Sequence, residues 1–210
     1  MRLQLMTWPE VEKYLKYSQG VIIPIGATEQ HGPTGLIGTD AICAETLAWK
    51  AGELADTVVG PTLFRRFFFV NGHGGNTASI NAAFFEVYAE APQLVEGGDE
   101  VRCLNGEWWE TPSARRLSAE LFGDSDGDHA TASEISVAAA AFPDHVKTAE
   151  LAAEAAPSSY VFGPADFRHR YPEGRMGSHP ELASVEAGER IIEAVADDLA
   201  KDYRVFLTEE

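Results

Sequence analysis

The chain has 210 residues, 45% of them hydrophobic, enough for one domain, 1–210, with a sizeable core and no need of disulfide staples. Sixteen Lys and Arg stand against 33 Asp and Glu, a formal net charge of −17. That field repels phosphate backbones and anionic lipid, so no nucleic-acid and no membrane partner is expected, whereas neutral or cationic small molecules and divalent metals suit it. Cys43 and Cys103 are too few for a disulfide framework and read as buried free thiols of a reducing compartment. Met1–Glu10 lacks a signal-peptide pattern and no apolar run is long enough to cross a bilayer, so a cytoplasmic setting is expected.

In chain order, Thr7-Trp8-Pro9-Glu10 has the form of a capping box, and Val11, Tyr14 and Leu15 recur at helical spacing until Gly20. Val21-Ile22-Ile23-Pro24-Ile25 suits a buried strand closed by Gly26, followed by a loop from Ala27 to Thr39. Asp40 opens a helix reaching about Gly52. Val58-Val59 and Phe67–Val70 read as strands, the latter ending in Asn71-Gly72-His73-Gly74-Gly75-Asn76. A helix capped by Asn76 or Thr77 follows, then a strand at Val101–Leu104, a helical Leu117–Phe122 and an Ala-rich helix over Glu134–Ala141. Glu186 to about Lys201 is a long amphipathic helix with Ile191, Ile192, Val195 and Leu199 as its stripe, to which Val205–Leu207 adds a little. This alternation predicts an α/β fold: a layered domain with a mostly parallel central sheet flanked by helices.

Ligand-type residues fall where such a sheet presents its carboxyl edge, the usual place of α/β sites. Glu29 and His31 sit past one strand, Asp40 one loop later and His73 past another; His129 and Glu134 lie at a loop-to-helix junction. Two imidazoles and three carboxylates form a nitrogen–oxygen set suited to zinc or manganese, larger than one ion needs. Gly72, Gly74 and Gly75 are expected to allow close backbone approach and positive φ beside a ligand. Taken singly, each has an ordinary reading: Asp40 as an N-cap, the glycines as a tight turn, and His145, His169 and His179 as hydrogen-bonded histidines. Trp108-Trp109 reads as core packing ahead of a pocket wall.

Four stretches carry a resemblance: Pro24-Ile25-Gly26-Ala27-Thr28-Glu29-Gln30-His31-Gly32-Pro33, Gly38-Thr39-Asp40, Asn71–Asn76, and His129-Ala130 with Glu134, with a weaker fifth in Gly174-Arg175-Met176-Gly177-Ser178-His179-Pro180. In this order, across almost the whole chain, they resemble the creatininase (creatinine amidohydrolase) family. The resemblance implies a layered α/β fold, two divalent ions per subunit (zinc, manganese or both), hydrolysis of an amide-type C–N bond in a small molecule or peptide, and a homo-oligomer, commonly a hexamer. It makes Glu29 and His73 ligands of one ion and His31 and Glu134 ligands of the other, with Asp40 bridging. His129 becomes the catalytic histidine that moves a proton to the leaving nitrogen, and Asp126 an acid that helps bind substrate. The implied mechanism is attack by a hydroxide shared between the ions.

Two departures qualify this. Creatinine-cleaving members carry a glutamate where this chain has Gly75, which points to another amide-type substrate. Family members also have a few dozen more residues between Pro61-Thr62 and Phe64-Arg65-Arg66, where here Leu63 runs into Phe64. The expectation is a mobile active-site segment missing at this point rather than a natural deletion. Two other readings compete: a family member that binds metal or ligand without turnover, and a serine hydrolase using Ser125 in Gly123-Asp124-Ser125-Asp126-Gly127. The second needs a strand before the serine, whereas Leu117–Phe122 reads as helix.

Overall fold

The computed structural model describes residues 1–59 and 64–209. Among them, four strands form one sheet: β1 (Gly20–Ile25), β2 (Val58–Val59), β3 (Arg66–Asn71) and β4 (Arg102–Glu107). Every neighbouring pair is parallel, in the order β2-β1-β3-β4, with Ile25 opposite Asn71 and Asn71 opposite Glu107. Seven α-helices of the described residues accompany the sheet: α1 (Trp8–Leu15), α2 (Thr39–Leu54), α3 (Thr77–Leu94), α4 (Pro112–Leu121), α5 (Ala132–Ala141), α6 (Pro164–Arg170) and α7 (Val185–Thr208). The layered, parallel α/β architecture expected from the sequence is the one found. The Leu63–Phe64 junction lies outside the described residues.

Side-chain alternation assigns the two faces of the sheet. Ile22, Phe68 and Val70 point into the main core, against Leu47 and Ala48 of α2 and Ile191, Val195 and Leu199 of α7. Val21, on the opposite face, packs with Tyr14 of α1, Val58 and Phe64, and the half-buried Ile23 and Phe67 lean on this smaller cluster. Helix α7 packs on α2, α4 and α5. It runs unbroken through Val205–Leu207 because Tyr203 and Phe206, both buried, prolong the Ile191–Val195–Leu199 stripe. Strand β4 starts and ends later than its local pattern predicts: pairing of Val70 with Gly106 and Asn71 with Glu107 recruits Asn105 and Gly106, poor strand formers by themselves. No helix among the described residues is long and apolar enough to cross a membrane.

The order of strands positions the site. From β1 the chain moves through α2 to β2 on one side, whereas β3 and β4 lie on the other. The topology therefore switches between β1 and β3, and the crevice beyond their carboxyl ends is where open α/β sheets receive ligands.

Candidate metal centre

Two glycines bring three elements together at this switch point. A Cβ on Gly26, just past β1, would lie 2.5 Å from the backbone of Ala41. One on Gly72, just past β3, would lie 2.1 Å from the carbonyl oxygen of Asp40. No side chain fits at either place, so the first turn of α2 settles directly on both strand ends. Gly72, Gly74 and Gly75 all lack positive φ, contrary to expectation; close approach is what Gly72 supplies. A Cβ on Gly75 would stand 2.4 Å from His73 Nε2, so a side chain there requires the imidazole to move.

Asp40 is consequently buried between two histidines. It caps nothing; its Oδ1 lies 2.9 Å from His31 Nε2 and its Oδ2 3.0 Å from His73 Nδ1. His73 Nδ1 is also 3.0 Å from Glu29 Oε1, and His31 Nε2 is 3.5 Å from Glu134 Oε2. The loop that carries Glu29 and His31 is closed on itself, with Glu29 N–H donating to Ile37 O at 3.0 Å and Gly35 N–H to His31 O at 3.0 Å. Glu134 is placed by a capping box at the start of α5: its own N–H donates to Thr131 Oγ1 at 3.1 Å, and its carboxylate accepts from Thr131 N–H. Cys43 Sγ, buried in α2, donates to the Glu134 carbonyl at 3.3 Å, and burial pushes its thiol pKa well up.

Electrostatics follow from this packing. Burial works against a charged His31, but hydrogen bonds and charge from Asp40 and Glu134 outweigh it and raise its pKa to about 10. Glu134 is held below its ordinary value: burial opposes ionisation, and the His31 bond and charge, the Thr131 N–H and His129 more than offset it. His31 Nδ1 faces the carbonyl of Glu29 at 3.3 Å, which leaves Nε2 for the acidic side. Without a cation, the proton on His31 is what balances the carboxylates around it.

Among the described residues, three groups of side chains offer ligand atoms close enough together to hold an ion: Glu29, Asp40 and His73; His31, Asp40 and Glu134; and Glu29, His31 and His129. The first two share Asp40. Its Oδ2 is buried and has no aligned hydrogen-bond partner, since His73 Nδ1 is near but poorly directed. An unsatisfied carboxylate oxygen beside a half-exposed imidazole is costly for a protein to keep and is satisfied by a cation, so the residues fit metal. Imidazole nitrogens with carboxylate oxygens suit zinc or manganese.

A cavity of about 700 Å³ opens onto this cluster, with Trp108, Trp109, Arg115 and Phe167 among its walls. Trp108 is 3% exposed and belongs to the main core as well, so core packing and pocket wall are one role here. Asp126 lines the cavity too, with Oδ1 accepting from Ser133 N–H at 2.8 Å and Oδ2 from Ser118 Oγ. Ser125 ends a short 3-10 turn that follows α4, so the strand–turn–helix context of a serine nucleophile is missing.

The structure thus brings Glu29, His31, Asp40, His73 and Glu134 into one cluster and sets His129 beside it, its Nδ1 3.9 Å from Glu29 Oε1. Sequence reasoning missed the surroundings of His129. The His129 carbonyl accepts from Ser178 Oγ at 2.6 Å and from Met176 N–H at 3.2 Å, while Phe167 sets an edge against the ring at 5.7 Å. Buried Arg175 ties that strap down by donating to Ser178 O at 3.0 Å. The glycine-rich Gly174–Pro180 stretch was the available signal; Phe167 offered none.

Fold and site together define an α/β protein with side chains able to hold a metal gathered at the switch point of a parallel sheet. The family model described as Creatininase, creatinine amidohydrolase, matches residues 4–63 and 64–203, and the chain belongs to that family. Among similar solved structures is one titled "Creatininase Mn", at 19% identity and a TM-score of 0.84, covering 99% of each chain. A creatininase variant of the Zn-Zn type is 20% identical with a TM-score of 0.83, covering 99% of this chain and 98% of that one. A putative creatinine amidohydrolase from Bacteroides fragilis is 20% identical with a TM-score of 0.71, covering 100% and 97%. At these identities the likeness is one of fold. Among curated proteins no match is found.

Proposed function

We propose that the protein hydrolyses an amide-type C–N bond, linear or cyclic, in a small molecule or peptide, with two divalent ions, zinc or manganese, held by its cluster. The observation that carries this reading is the division of Asp40, one oxygen toward each histidine and one of them unsatisfied. Glu29 and His73 would hold one ion, His31 and Glu134 the other, and Asp40 would bridge. Bound there, such ions supply polarisation of a carbonyl and a water whose pKa is brought toward neutrality. The Mn and Zn-Zn forms named among the similar structures support the choice of ions. His129 is the catalytic histidine in this reading, holding a proton at Nδ1 for the leaving nitrogen. The two tryptophans and Phe167 keep water from the far side of the substrate, and Asp126 contacts it with the lone pairs left by Ser118 and Ser133. Creatinine is not the expected substrate, because Gly75 offers no carboxylate and a side chain there would displace His73.

The test is metal analysis alongside a screen of linear amides, cyclic amides, formamides and short peptides, with and without chelator. Turnover that chelator abolishes supports the reading; full turnover by metal-stripped Asp40→Ala protein would falsify it.

We also propose that a crossover belongs between Leu63 and Phe64. Only residues 60–65 lie between β2 and β3, parallel strands on opposite sides of β1, whereas a parallel connection takes a dozen residues or more. Right-handed crossovers put α2 on one face and this connection on the other, where Ile23, Ile25, Phe67 and Phe69 are only half-buried. A homo-oligomer, a hexamer as in the family, is supported by the exposed Phe85, Tyr88 and Leu94 of α3.

A further inference from the structure

The peptide between His129 and Ala130 is turned by its surroundings against its own preference. Ala130 is fully buried and has φ +55. Left-handed backbone is unfavourable for alanine, whose Cβ crowds the following carbonyl oxygen. The other non-glycine residue at positive φ among the described ones is Asp56, which is exposed and of a type that tolerates it. Ala130 instead joins two fixed stretches: His129 forms an antiparallel bridge with Met176, and Thr131 caps α5 together with Glu134.

The His129 carbonyl is what holds this peptide. It accepts from Met176 N–H at 3.2 Å and from Ser178 Oγ at 2.6 Å, and Ser178 is fully buried. Ser178 is itself fixed. Its carbonyl accepts from Arg175 at 3.0 Å, and its backbone crosses Gly127 so closely that a Cβ on that glycine would lie 2.5 Å from Ser178 N. On the other side the Ala130 methyl faces Gly32, where a Cβ would stand 3.6 Å from it. Strain kept beside a functional side chain marks a constraint that the fold imposes on that side chain.

We propose that Ser178 is a positioning residue of His129, a catch that keeps the 129–130 peptide turned and so holds the imidazole beside Glu29. Without the hydroxyl, only the longer bond from Met176 opposes the strain at Ala130. The peptide then turns over, φ of Ala130 becomes negative, and the ring is carried off its place. A glycine at position 130 is unstrained at positive φ and gives the peptide no reason to turn. The consequence for turnover rests on the reading of His129 as the catalytic histidine; the state of the peptide does not.

The two side chains form a double-mutant cycle, read in crystal structures of the zinc-loaded full chain and in kcat on an amide that the substrate screen identifies. Ser178→Ala is expected to show a negative φ at residue 130. Its kcat should fall about 10- to 100-fold, the loss that a misplacement of about 1 Å brings, with KM within about twofold. Adding Ala130→Gly to Ser178→Ala is expected to restore the positive φ and most of the lost kcat, whereas a merely structural serine predicts two losses that add. A positive φ at residue 130 in Ser178→Ala, or a double variant no faster than Ser178→Ala, overturns the assignment. Should Ser178→Ala fail to fold, Ser178→Cys, of like shape with a weak donor, is read by the same criteria. Wild-type protein without amidase activity sinks the hydrolase reading, and the φ of residue 130 across the cycle then decides the catch by itself.

Discussion

In the ion-free protein His31 carries a proton, which an ion held as proposed would displace. Its pKa stands at about 10 in the ion-free protein against an ordinary 6.5. Raised in the folded state, it contributes stability that is fully present below about pH 6.5 and is lost as pH rises through about 10. The ion-free protein is therefore expected to lose melting temperature across that window, and His31→Gln should flatten the decline. Zinc binding at pH 8 should release a proton, visible as a calorimetric heat that depends on the buffer's ionisation enthalpy; no buffer dependence would refute a protonated His31. Asp40→Ala is expected to abolish uptake of both ions, read by elemental analysis. The five ligand-type residues and His129 were legible because charged and imidazole side chains followed directly on apolar runs. Gln30 was not: a glutamine within a quoted motif gives no sign that its amide nitrogen lies 2.9 Å from His129 Nε2 until the imidazole it faces is seen.

At the level of elements, two local devices hold the centre. Thr131 both caps α5 and fixes the Glu134 carboxylate, so Thr131→Val should cost about 1 kcal/mol of stability and also weaken zinc binding. A cap elsewhere, Ser184→Ala at α7, should cost a similar ~1 kcal/mol and leave zinc affinity unchanged, which separates the two effects. Gly72→Ala drives a methyl against the Asp40 carbonyl and is expected to lower both stability and metal content. Periodicity and end signals revealed β1, β3, α1, α2 and α7, since each hides a regular apolar face. The length of β4 and the whole of α6 were not legible: one is set by the ladder to β3, the other is a helix of seven residues with no buried side chain.

Over the whole molecule, a charge of −17 means that compaction works against self-repulsion. Melting temperature is expected to rise from low salt to about 0.5 M sodium chloride as the Debye length shrinks below about 10 Å; a flat response would show the acidic groups to be too dispersed to matter. Protein isolated from its own cells should weigh more than 22.8 kDa if a crossover joins β2 to β3, and equality with that mass refutes the segment. One hydrogen bond links the centre to a built-in clock. Cys43 lies wholly inside, against Glu134, while Cys103 is half-buried on the edge strand. An added thiol reagent must wait for α2 and α5 to part before it can reach the first, so its slow labelling phase times that breathing. Zinc should lengthen the slow phase and leave the fast one alone.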